Sequence, residues 1–130
     1  MPIEYDIQPA LGTVFLTYHG RVTDPELFVT YINLYTDPAY QPGYNELADC
    51  RRVTLFDVST KAIRGTGEMA VLAAGAPPVP AKVAIVAGDD VVYGLGRLYQ
   101  IVQEPTSELV EVFRDIVEAR KWLGLEELSQ

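Results

Sequence analysis

Ala81-Lys82-Val83-Ala84-Ile85-Val86-Ala87 is the stretch whose reading decides the fold. Six of its seven residues are apolar, and three of them are β-branched. A near-continuous apolar run of this length predicts a central, parallel strand covered on both faces, because a strand with one wet face would alternate. Pro77-Pro78-Val79-Pro80 precedes it and must end any helix arriving from upstream. Gly88-Asp89-Asp90 follows as a turn into a helix, with Val91, Leu95, Leu98, Tyr99 and Val102 on one face.

Working outward, the N-terminal side supplies a hairpin. Ile3 to Ile7 alternates apolar and polar residues, Pro9-Ala10-Leu11-Gly12 turns, and Thr13 to Tyr18 is β-branched and aromatic. His19 ends that strand, and Gly20-Arg21 reads as a turn. Asp24 before Pro25 predicts a capped helix start, and Leu27, Phe28, Tyr31, Ile32 and Tyr35 recur at helical spacing. Asn45 to Cys50 is a short strand, and Arg51 to Val58 an extended connection. Ser59 or Thr60 caps a second helix using Ile63, Ala70, Val71 and Ala74, which Gly65 and Gly67 weaken by roughly 1 kcal/mol each relative to Ala. On the C-terminal side, Leu109 to Phe113 alternates as a last strand. Asp115 caps a final helix with Ile116, Ala119, Trp122 and Leu123 inward, ended by Gly124. The order β-β-α-β-α-β-α-β-α predicts an α/β domain with a mixed five-stranded sheet and four helices, spanning 1–130 as one unit.

Composition narrows the functional classes. Apolar residues make up 48% and charged residues 22% of 130, the balance of one globular domain. A net charge of −8, with ten scattered Lys and Arg, argues against nucleic acid and anionic membrane surfaces. The single cysteine, Cys50, allows no internal disulfide, and no run reaches the roughly 20 apolar residues of a membrane helix. The expectation is a cytoplasmic protein without membrane insertion.

Four stretches carry a family likeness: Phe56-Asp57-Val58-Ser59, Ala81 to Val86, Tyr93-Gly94-Leu95-Gly96-Arg97, and Val112-Phe113-Arg114-Asp115 running into Glu118-Ala119-Arg120-Lys121-Trp122-Leu123. With the element order, they resemble bacterial SpoIIAA-like proteins of the STAS/Sec14 type. The resemblance implies a non-enzymatic regulatory or protein-interaction module, with a homodimer expected. Its Sec14-like side implies the alternative, a small carrier for a lipid or other apolar or amphipathic ligand, with an elongated apolar cavity near the second and third helices. Anti-sigma-factor antagonists of this fold are phosphorylated on a serine in an Asp-Ser-Ser/Thr-Gly motif. Asp57-Val58-Ser59-Thr60 lacks the glycine and the first serine, so Ser59 reads as a helix cap rather than a phosphorylation site.

Residue chemistry points the same way. One histidine, His19, one cysteine and no Gly-x-Ser-x-Gly elbow leave no nucleophile–base set, so no enzyme activity, cofactor or metal site is expected. Two surfaces are candidates for binding. Tyr93, Gly94 and Arg97, on a helix thinned by Gly94 and Gly96 beyond a strand's C-terminal end, could line a shallow site for an anionic or amphipathic molecule. Phe28, Tyr31 and Tyr35 lie on a first helix that is apolar on more than one side. That width suits either self-association or a larger core.

Overall fold

The computed structural model describes residues 2–75, 80–106 and 108–125. Five strands form one sheet in the order β1-β2-β3-β4-β5: β1 Ile3–Gln8, β2 Thr13–Thr23, β3 Asn45–Asp57, β4 Lys82–Ala87 and β5 Leu109–Phe113. β1 runs antiparallel to β2, and the other pairings are parallel. The helices are α1 Asp24–Thr36, α2 Thr60–Ala74, α3 Asp90–Gln103 and α4 Ile116–Trp122. This is the mixed sheet and element order that the sequence predicts.

Strand order explains where the helices go. Each parallel strand is laid down beside the last in one direction, so right-handed crossovers place α1, α2 and α3 on the same face. α4 follows β5 and covers the other face, where Leu47, Ala84, Val86, Ala119, Leu123 and Leu125 form one core cluster. The larger cluster lies under α1–α3 and includes Val14, Leu16, Tyr18, Leu34, Ala48, Cys50 and Val92. β4 sends Ala84 and Val86 to the α4 face and Val83 and Ile85 to the α1–α3 face, as a strand covered on both sides must.

Several boundaries differ from the sequence expectation. β2 does not stop at His19: Gly20-Arg21 stays in the ladder, and the expected turn is a pair of register shifts, with Gly20 at φ 66°. A glycine at positive φ inside a strand signals a bulge as readily as a turn. Arg51 to Asp57, expected as a connection, continues β3, because the prolonged β2 gives it a partner. Thr23, not Asp24, caps α1: the Glu26 side chain accepts from the Thr23 backbone amide and hydroxyl, both at 2.9 Å, as in a capping box. Asp24 is left free for another partner.

α2 is continuous through Gly65 and Gly67, with Ser59 as its cap. Gly75, at φ 63°, closes it. Pro77 to Val79 of the expected stop lie outside the described residues. In α3 the inward face includes the expected Leu95 and Tyr99 but takes Val92, 3% exposed, in place of Val91, which is 68% exposed. Asp89 and Asp115 cap α3 and α4 by accepting from Val92 N at 2.9 Å and Val117 N at 2.8 Å.

Candidate functional site

α1 and α3 lie against the strands, but α2 rests mainly on α1 and α3. A hollow of about 70 Å³ remains beneath it. Its floor is Ala48 and Cys50 of β3 with Val83 and Ile85 of β4; its roof is Ile63 and Thr66 of α2. Small residues make the space. Ala48 and Cys50 occupy the β3 positions facing α2, where larger side chains would fill it.

The walls are less apolar. Glu46 shares the face of Ala48 and Cys50 at period two, is 5% exposed, and reaches the hollow along with Tyr18, Tyr31 and Tyr99. The Tyr35 hydroxyl donates to Glu46 Oε2 at 2.9 Å. Among the described residues no hydrogen bond reaches Glu46 Oε1. Tyr18 and Tyr31 join hydroxyl to hydroxyl. Tyr99 donates to Glu108 Oε1 at 2.8 Å, and Gln103 Nε2 donates to the same oxygen at 2.9 Å and to the carbonyl of Gly67 at 3.3 Å. Gly67 is required for that last contact, because a Cβ there would overlap the Gln103 side-chain amide.

Burial sets the charge state of this cluster. Desolvation, then the nearby charge of Glu108, pushes the Glu46 carboxyl up to about 8, against a smaller opposing effect of the Tyr35 hydrogen bond. Burial also raises Glu108, with Gln103 and Tyr99 pulling the other way. The hydroxyls of Tyr18, Tyr31, Tyr35 and Tyr99 are raised well above the ordinary tyrosine value, chiefly by burial, and remain protonated donors. The Cys50 thiol is likewise pushed up by burial, so it lines the hollow as a small apolar group rather than a thiolate.

The residues singled out in the sequence fall elsewhere. Tyr93 is half-buried beneath Arg114, whose guanidinium lies 4.4 Å from the ring centroid. Gly94 faces open space, with nothing within 4 Å of where a Cβ would stand. Arg97 is exposed, pairs with Gln100, and borders a separate surface groove with Glu104, Glu108 and Glu111. None of the three lines the hollow, although Val92, Leu95, Gly96 and Tyr99 of the same helix do. Gly96 is the glycine that permits close packing: a Cβ would stand 3.1 Å from Val112 Cγ1 and 3.4 Å from Ile85 Cγ2.

The α1 candidates turn inward. Tyr31 is buried, and Phe28 and Tyr35 are half-buried against the core. The broad apolar character of α1 therefore divides: these aromatics serve a larger core, and Val29 and Ile32, 46% and 51% exposed, form its outward side. Ser59 accepts from Ala62 N at 3.1 Å and also bonds Asp24, its amide to Oδ1 at 2.8 Å and its hydroxyl to Oδ2 at 2.7 Å. His19 lies at the β1 edge, 4.0 Å from Glu4. No group of three or more His, Cys, Asp or Glu able to hold a metal ion is found among the described residues, and no described helix is long and apolar enough to cross a membrane.

No protein-family model matches this sequence, and no curated protein matches it significantly. A solved structure does. The crystal structure of an uncharacterized protein of the DUF3478 family from Shewanella loihica PV-4, described as having a SpoIIAA-like fold, aligns with a TM-score of 0.58 over 93% of each chain at 17% identity. The fold is SpoIIAA-like. At that identity the match shows architecture alone. Glu46, the residue most exceptional in its burial, was missed by sequence reading. The signal was present: a glutamate shares the period-two face of Ala48 and Cys50, two residue types that are usually buried.

Proposed function

We propose that this SpoIIAA-like domain is a non-catalytic binding module that holds a small, largely apolar molecule beneath α2. The observation that carries this reading is the hollow itself: a largely apolar lining with a few polar groups, Glu46, Thr66 and three tyrosines, around it, as ligand sites are built. Its position beneath α2 and against α3 is where the Sec14-like alternative anticipates a cavity. At about 70 Å³ it is about half the size of a cavity that takes up benzene, so it holds a short chain as it stands and admits one ring only with an outward shift of α2. α2 lies mainly on neighbouring helices, so an outward shift breaks few contacts with the sheet.

Toluene tests it. A ligand that binds only the folded state raises the melting temperature with its concentration. Toluene should raise the Tm of the wild type and leave Ala48→Leu, whose side chain fills the hollow, unchanged. Absence of a toluene-dependent rise in the wild type, with no small molecule retained in native mass spectrometry, would count decisively against the reading.

The exposed pair Val29 and Ile32 favours a second role, association with a second copy through the outer side of α1. Sedimentation should then show a dimer that Ile32→Lys dissociates. A monomer at high concentration would remove this second role and leave the first.

A further inference from the structure

The hollow's wall specifies a charge class as well as a size. Among the described residues that line it there is no Lys, Arg or His, while Glu46 lines it with a carboxyl whose Oε1 receives no hydrogen bond from them. Glu108 stands behind Tyr99, held by Tyr99 and Gln103, and adds negative potential from the same side. The rings of Tyr18, Tyr31 and Tyr99 border the space, and aromatic faces attract cations.

We propose that the occupant is a small apolar amine, its ammonium seated against Glu46 Oε1 and among the tyrosine rings, its hydrocarbon part over Ala48, Val83 and Ile85. This deepens the ligand reading above and rests on it. The physical case is one of complementary deficits. A buried charge is costly unless paired, and Glu46 lines a hollow with no cation among its described lining residues, with the charge of Glu108 nearby. An ammonium supplies the missing charge to Glu46. A carboxylate or phosphate ligand would instead add a third negative group to an enclosed space with nothing to neutralise it.

The titratable groups that interact electrostatically with Glu46 are Glu108 and the hydroxyls of Tyr18, Tyr31, Tyr35, Tyr40 and Tyr99. The tyrosines stay protonated, so Glu46 and Glu108 are the groups whose charge changes. Seating an ammonium draws the proton from Glu46, so amine affinity should climb as pH rises from 6 to about 8, the value to which Glu46 is pushed.

Four single-ring probes decide it by calorimetric titration at pH 8: toluene, benzylamine, benzyl alcohol and benzoate. Benzylamine should bind tightest and benzoate at least about tenfold more weakly, a gap of about 1.4 kcal/mol. Glu46→Gln, of the same shape, should erase the amine's advantage over benzyl alcohol while retaining toluene. Benzoate binding as tightly as benzylamine overturns the proposal, as does an amine preference that survives in Glu46→Gln. Toluene bound without benzylamine overturns the charge assignment and leaves the apolar site standing. Failure of toluene as well removes the site itself. The wild-type series is decisive even if the variant folds poorly.

Discussion

The Tyr35 hydroxyl, on α1, donates to Glu46 Oε2, on β3, at 2.9 Å. That bond ties the first helix to a strand across a buried carboxyl, and the burial of that carboxyl makes the interior responsive to pH. Glu46 titrates near 8 in the fold against an ordinary 4.5, so the folded state holds more protons than the unfolded state between those values. Stability therefore falls as pH rises through that window, and levels off above it. Urea unfolding from pH 5 to 9 should show this decline, and Glu46→Gln should flatten it. A wild-type stability that rises over the same range would contradict the assignment.

The bridge between Asp24 and Ser59 joins the start of α1 to the start of α2. Ser59→Ala removes the cap of α2 and the hydroxyl half of the tether, leaving the amide bond to Asp24, and should cost about 1 kcal/mol or somewhat more. Ser59→Asp keeps a capping oxygen but sets it against the Asp24 carboxylate, so it should also lower the melting temperature, by an amount that shrinks with added salt. Phosphorylation at Ser59 would bring the same repulsion in stronger form. A Ser59→Asp protein as stable as the wild type at low salt would argue that the tether contributes nothing.

Two helix glycines should respond in opposite directions to alanine. Gly94 faces open space in α3, so Gly94→Ala should stabilise by up to about 1 kcal/mol through helix propensity. Gly67→Ala places a methyl into the Gln103 amide, which is itself held to Glu108 and to the Gly67 carbonyl. It should destabilise despite the same propensity gain. Thermal unfolding of the two variants side by side is the check.

These residues also show what was legible in the sequence. β4, the caps at Asp89 and Asp115 and the element order could be read because each is a local signal: a continuous apolar run, or an oxygen placed before a helical repeat. The length of β2 and β3 could not, since Gly20-Arg21 makes a turn or a bulge according to whether a neighbouring strand is there to pair with. The face of α3 was off by one at Val91 because Val91 and Val92 are equally apolar, and only the sheet's position decides between them. The site was the least legible part. Tyr93, Gly94 and Arg97 drew notice as unusual residues on one helix, whereas the hollow arises from small side chains on β3 beneath a helix two elements away. Such a vacancy is a property of packing between elements, not of any one of them.

The space beneath α2 is expected to take up an apolar molecule. The decisive measurement is a titration of the ¹⁵N-labelled protein with toluene, followed by heteronuclear correlation spectra. Saturable shifts should be centred on the amides of Ala48, Ile63, Val83 and Ile85 and be lost in Ala48→Leu. Shifts scattered over the outer faces of the helices, or an unchanged response in Ala48→Leu, would contradict it.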